Sequence, residues 1–179
     1  NSDFQAVLNR MREGVHTKDD LAYVNRFAMP LEKYDKNNEF YSHLVTTNRQ
    51  ADMINENYLI NFGYGEEFKF YRQITGTVDQ TILKNVDECV RLKCGLQVMC
   101  LKNNREQEYQ NGTVGKIVSM GQDINDEVVI ETKNGKQLTV VREEWGNFEY
   151  EKSKDGELQV IEKGKITQIG CKLAKSLTV

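Results

Sequence analysis

One proline, Pro30, one tryptophan and two histidines are all that 179 residues contain of these types. With a single proline and no serine–glycine run, nothing reads as a flexible tether between domains. The two histidines, His16 and His43, argue against a His-based catalytic triad. No apolar stretch approaches the ~20 residues that a membrane-crossing helix needs, so no membrane partner is expected. Asn1-Ser2-Asp3 is not a basic segment followed by an apolar one, so no signal peptide is read. The chain opens on Asn rather than Met, as a piece excised from a longer protein would.

Cysteine is sparse too. Cys89, Cys94 and Cys100 are separated by four and five residues, Cys171 is remote, and no C-x-x-C pair occurs. A zinc site uses close paired ligands, so these read as core or half-buried thiols in a reducing cytoplasm, with no bound metal. Also missing are G-x-S-x-G, H-E-x-x-H and the phosphate-cradling G-x-x-x-x-G-K-[ST]. Asp87-Glu88 resembles a Mg²⁺-holding acidic pair but follows Lys84-Asn85-Val86 rather than an apolar strand, which makes it a solvated loop. Asp123, Asp126 and Glu127 lack the spacing of a calcium loop.

What the chain has is a soluble composition: 39% hydrophobic, 28% charged, with 24 basic and 27 acidic residues and a net charge of -3. Domains that hold nucleic acid by charge alone usually have a pI above ~9. Here it is about 5.6, which argues against strong autonomous DNA binding while leaving room for a local basic groove. Area scaling allows about 70% of the surface to be buried on folding, enough for one domain, or one domain with a small insert.

Phe4, Val7, Leu8 and Met11 form a helical stripe over 2–13, with Ser2 and Gln5 at capping-box spacing and Gly14 as the stop. Thr17 and Asp20 start a second helix bearing Leu21 and Val24. Pro30 and Asp35-Lys36-Asn37-Asn38 mark a turn. A short buried strand then spans Tyr41–Thr46, and Thr47 with Gln50 caps a helix with an apolar face of Ala51, Ile54 and Tyr58, ending at Gly63. A strand feeding a capped helix is the elementary α/β unit.

From residue 67 the period falls to two. Phe68, Phe70, Arg72 and Ile74 share one side of a strand, Leu96–Leu101 is another, and Thr113–Met120 places Val114, Val118 and Met120 on one face. Asn134-Gly135 between alternating runs predicts a hairpin, and Asp155-Gly156 predicts a second, joining Phe148–Glu151 to Leu158–Ile161. These short strands suit a small barrel or sandwich.

Two segments could carry chemistry. Thr46-Thr47-Asn48-Arg49 sits where a strand enters a helix, the usual ligand edge of an α/β sheet, where free N–H groups and an arginine suit a phosphate. A capped helix with a solvated arginine explains the same residues. Lys102-Asn103-Asn104-Arg105, with Asn111-Gly112-Thr113-Val114-Gly115, is a polar, partly basic loop suited to phosphate contacts, or an ordinary turn.

Three stretches resemble, in order, the Pif- and RecD-like DNA helicases of superfamily 1. Leu44-Val45-Thr46-Thr47-Asn48-Arg49-Gln50-Ala51-Asp52-Met53-Ile54-Asn55 is similar to motif IV. Leu92–Asn103 with Asn111–Gly115 is similar to their LKxGxQVMLLKN…NGTxG run, and Ile166-Thr167-Gln168 through Lys172-Leu173-Ala174 to the xTQxPLKLA run leading into motif V. The resemblance implies a partial RecA-like α/β domain of the P-loop NTPase type with an inserted small all-β SH3-like barrel. Residues 1–90 would hold the N-terminal helices and the first part of the second RecA-like domain, 91–165 the barrel, and 166–179 the return to the RecA-like sheet. It implies an ATP-driven motor moving 5′ to 3′ on single-stranded DNA, with ATP and Mg²⁺ as cofactors of the full-length protein and none bound to this piece alone, which is expected to be a monomer.

In that reading Arg49 is an arginine-finger candidate, Thr47, Asn48 and Arg49 face the nucleotide, and Lys102, Asn103, Asn111 and Thr113 face DNA. The first RecA-like domain, with the P-loop lysine, and motif VI are absent, so the chain alone is expected to be inactive. Gly170-Cys171 replaces the family's Pro-Leu, and Lys175–Val179 looks like the segment beyond motif V, as though a stretch were missing at Ala174-Lys175. A different class remains open: a non-catalytic interaction module, with Trp145, Phe148 and Tyr150 lining a protein-binding groove or packing as barrel core.

Overall fold

The computed structural model describes residues 2–28, 30, 40–121, 126–152 and 158–178. The Asp35–Asn38 turn, Asp123, the Asp155-Gly156 turn and the Ser2 capping side chain lie outside the described residues. Packing separates two units, Asn1–Glu39 and Phe40–Val179.

In the first unit, α1 (Ser2–Arg12) and α2 (Lys18–Asn25) follow the expected spacing. Val7 is buried, and Phe4 stacks edge-on against Phe27, with centroids 5.9 Å apart. Thr17 and Asp20 form a complete capping box. Asp20 also receives the Arg10 guanidinium, from Nε at 2.9 Å and through a second contact from Nη2, which staples α2 to α1.

The second unit is mixed α/β. Thr47 caps α3 (Asn48–Phe62) by accepting the Gln50 N–H, and Ala51, Tyr58 and Leu59 bury its inner face. The preceding strand β1 (His43–Val45) is not buried as expected: Leu44 is 67% exposed. The strand pairs in parallel with β11 (Ser176–Thr178) and forms a two-stranded sheet covered on one side by α3. Parallel strands are normally covered on both faces, and the uncovered one leaves Leu44 in solvent.

The strand expected over residues 68–74 is two strands. β2 (Tyr64–Tyr71) pairs with β4 (Cys89–Cys94), whereas β3 (Gln73–Gly76) pairs with β9 (Leu158–Ile169). Arg72 lies between them and turns its Nη1 to the carbonyls of Leu83 and Val86, both at 2.8 Å, at the end of α4 (Gln80–Asn85). Capping those orphan carbonyls takes the place of continuing the strand.

The main sheet has the order β10-β5-β6-β7-β8-β9-β3, with β5 Gln97–Cys100, β6 Val114–Gly121, β7 Glu127–Thr132, β8 Gln137–Lys152 and β10 Cys171–Leu173. This order is open, and no closed barrel is found among the described residues. β9 and β10 are separated only by Gly170, whose N–H bonds Val141 O at 2.9 Å while its carbonyl receives Leu101 N–H at 2.8 Å. The Asn134-Gly135 hairpin forms as expected between β7 and β8, with Gly135 at φ 79°. β8 and β9 pair as far as Lys152 and Leu158, around the second predicted turn.

In β6 Gly115 and Ile117 point inward and Val118 outward, and a bulge between Ile117 and Ser119 brings Met120 back to the inner side, so Val114, Val118 and Met120 do not share the expected face. Phe70, Leu92, Leu96, Val98, Ile130 and Ile169 complete the core. The turn between β4 and β5 needs Gly95: its φ is 80°, and a Cβ there would lie 2.4 Å from Tyr64 Cε1.

The junction at Ala174-Lys175 is a hydrogen-bonded part of the fold. Ala174 N–H bonds Gln97 O at 3.0 Å, Ala174 O receives Gln97 Nε2 at 3.0 Å, and β11 follows at once. All four cysteines are free thiols, Cys100 and Cys171 buried and Cys89 and Cys94 half-buried, as expected.

Candidate functional site

β1 and α3 place Thr47, Asn48 and Arg49 together at the exposed start of the helix. The Thr47 hydroxyl is committed to its cap, and Asn48 Oδ1 receives the Thr178 hydroxyl at 2.9 Å. Among the described residues the Arg49 guanidinium has no hydrogen-bond or ion-pair partner, so it is a cation in solvent rather than part of a structural ion pair.

Beside Asn48 opens a cleft of about 580 Å³ walled by α3, the segment from Lys84 to Arg91, and β10–β11, with Trp145 and Gln168 also on its lining. Its cations differ in commitment. Arg91 bridges Glu67 at 2.8 Å and Glu56 at 2.9 Å, which raises its own pKa and holds Glu67 below the usual carboxylate range. Lys84 and Lys172 have no such partner among the described residues. Gln168 is buried and donates to both Phe70 O and Asp87 O at 3.0 Å, tying the β2–β4 pair to β9.

The other predicted residues fall on the loop between β5 and β6. Lys102 lies over the Trp145 ring, 5.2 Å from its centroid, so the loop's first cation reaches an aromatic face that also lines the cleft. Asn103 and Asn111 are exposed and adjacent: Asn103 Oδ1 accepts the Asn111 N–H at 2.8 Å. Thr113 turns inward in function as well as in space, its hydroxyl accepting Gln110 N–H at 3.1 Å and its carbonyl Cys100 N–H at 2.8 Å. Thr113 therefore braces the loop.

Sequence reasoning assigns no role to Lys84 or Lys172 on the cleft, although Lys172 lies in the third family-like stretch, nor to Tyr109 and Glu143, which are hydrogen-bonded to each other at the β5–β6 loop. The sequence reading groups Trp145 with Phe148 and Tyr150 in one groove, yet of the three it alone lines the cleft. Phe148 and Tyr150 stand 58% and 73% exposed on the β8–β9 arm, which rules out core packing for them.

No family model matches the chain, and no curated protein matches it. Solved structures do. Pif1 from Bacteroides sp. in complex with ADP-AlF4 superimposes with a TM-score of 0.84 at 25% identity, covering 99% of this chain and 39% of that one. Unliganded Pif1 from Bacteroides sp. gives 0.83 at 26% identity, over 99% of this chain and 40% of that one. Bacteroides Pif1 bound to single-stranded DNA gives 0.68 at 26% identity, over 99% and 39%. The chain thus spans about two-fifths of the length of these proteins and is similar, over nearly all of its own length, to a fragment of a Pif1-like helicase.

Proposed function

We propose that the chain supplies the arginine-bearing face and part of the single-stranded DNA path of an ATP-dependent DNA helicase that moves 5′ to 3′. The observation that carries this reading is Arg49, an uncommitted guanidinium at the start of a helix whose first turn also offers backbone N–H groups. A planar guanidinium there can meet a γ-phosphate through two hydrogen bonds and stabilise the charge that develops as the phosphoryl group leaves. The same helix start fits a nucleotide phosphate. Among the described residues no group of three or more His, Cys, Asp or Glu side chains is placed to hold a metal ion.

DNA would run along the loop bearing Lys102, Asn103 and Asn111, with Lys102 steadied by Trp145. Leu101 at the start of the loop and Trp145 beneath Lys102 line the cleft that Asn48 borders, which supports one body serving both ligands. We further assign residues 91–165 to an SH3-like insert within a RecA-like domain, with the return to that domain from residue 166. In support, β9 continues through Gly170 into β10, so one kinked strand pairs first with β8 and then with β5.

In a longer protein that includes the P-loop, Arg49→Ala should lower kcat by about 10³ or more, and an unchanged kcat would reject the finger. The chain alone should bind an oligothymidylate weakly, with an affinity that falls steeply with salt, and should show no ATP turnover. Robust turnover by the purified chain would overturn the assignment. A second reading, a protein-interaction surface, is favoured by one observation: Phe148, Tyr150, Leu158 and Val160 are all exposed on the β8–β9 arm.

A further inference from the structure

Tyr109 sits in a polar loop yet is only 2% exposed, its ring joining the core cluster that includes Cys100 and Ile117. Its hydroxyl donates to Glu143 Oε1 at 2.6 Å, and Asn104 Nδ2 donates to the same oxygen at 2.9 Å. Asn104 and Tyr109 also exchange both backbone hydrogen bonds, at 2.9 and 3.1 Å, closing the turn between them. One carboxylate oxygen on β8 therefore receives both ends of the turn. Such charge-assisted bonds are about twice as strong as neutral ones. Burial and the adjacent carboxylate push the Tyr109 pKa well up, so the phenol remains a donor across the working pH range. On the outer side, Lys136 donates to Glu108 at 2.6 Å.

Asn103 and Asn111 flank this turn and are bonded to each other. Their exposed side chains have the position they have because the turn between them is fixed.

We propose that Glu143 is the positioning residue of the 101–113 loop: by receiving Tyr109 and Asn104 it holds Asn103 and Asn111 in the arrangement that meets a nucleic-acid backbone. The inference rests on the reading of this loop as facing single-stranded DNA. Glu143 itself does not touch the ligand. It reduces the ordering that the loop would otherwise undergo on binding.

The test uses the whole chain, a dye-labelled oligothymidylate, anisotropy across a salt series, and amide hydrogen exchange without DNA. Glu143→Gln keeps an oxygen that can accept both donors and should bind like the parent. Tyr109→Phe and Glu143→Leu should bind about threefold to tenfold more weakly. Because Asn103 and Asn111 carry no charge, the salt slope should stay as in the parent while the affinity falls. Exchange at Asn111 and Gly112 should accelerate in both variants and not in Glu143→Gln. Should Glu143→Leu fail to fold, Tyr109→Phe decides. If Asn103→Ala weakens binding while Tyr109→Phe and Glu143→Leu keep the parent affinity, the loop meets DNA without Glu143 and the inference is overturned. If the parent chain does not bind, or Asn103→Ala binds as the parent does, the DNA reading of the loop itself fails, and the exchange data then report separately whether Glu143 holds the turn.

Discussion

Asn55 grips the backbone of Ser176 with both ends of its amide: Nδ2 donates to Ser176 O at 3.0 Å and Oδ1 accepts Ser176 N–H at 2.8 Å. A side chain on α3 thereby acts as a strand neighbour for β11, whose only sheet partner among the described residues is β1. Asn48 repeats the idea one residue pair later through Thr178. Helix α3, with Arg49 at its start, and β11 are one mechanical unit.

Replacing Asn55 with Ala should cost about 1–3 kcal/mol, because both backbone groups of the buried Ser176 lose a partner. Urea unfolding of the whole chain measures this, and a shift under about 0.5 kcal/mol would mean that water substitutes freely.

Alternation along β6 makes adjacent residues unequal. Ile117→Ala empties a buried site and should destabilise by about 2–5 kcal/mol. Val118→Ala, on the outward side, should stay within about 0.5 kcal/mol. Equal losses at the two positions, measured by the same urea unfolding, would contradict this facing of β6.

Acid should loosen the helical pair of the first unit. The Arg10 guanidinium, followed by the Thr17 N–H, holds the Asp20 carboxyl well below the usual carboxylate range. A depressed folded pKa means that the stabilisation is full above the unfolded value of ~3.9 and is lost as pH falls below it toward the folded pKa. An NMR titration of the Asp20 carboxyl carbon should find a midpoint well under ~3.9, and Asp20→Asn should lower helicity at neutral pH. An ordinary midpoint would mean that the Arg10 ion pair does not persist in solution.

Thiol chemistry should divide the cysteines. Burial, and then the Glu143 carboxylate, push the Cys100 thiol up to about 12, and burial with the Cys100 neighbour raises Cys171 as well. At mildly alkaline pH a disulfide reagent should titrate the half-buried pair, Cys89 and Cys94, and reach the other two only in denaturant. Four fast-reacting thiols in the native chain would show that the β5–β10 pairing opens readily.

The local half of this protein was legible in its residues. The caps at Thr17 and Thr47, the helices they start, and the Asn134-Gly135 hairpin each depend on residues within a few positions of one another. The order of the three helicase-like stretches was legible too, and the likeness to Pif1 structures supports it. Where reading failed, a distant residue had intervened. Arg72 left its strand to cap α4, a bulge turned Met120 away from the face of Val118, and Leu44 stayed in solvent because nothing among the described residues covers its face.

The sequence alone therefore determined the helices α1, α2 and α3, the β7–β8 hairpin and which polar motifs could meet phosphate; among the described residues no helix is long and apolar enough to cross a membrane. Only the tertiary structure decided which of those motifs are held in place, and by what. Glu143 meets Tyr109 from 34 positions away, Gln168 meets Phe70 from 98, and Asn55 meets Ser176 from 121. Bonds over such separations leave no period or spacing in a sequence, because each forms only after the hydrophobic core has brought its two elements together.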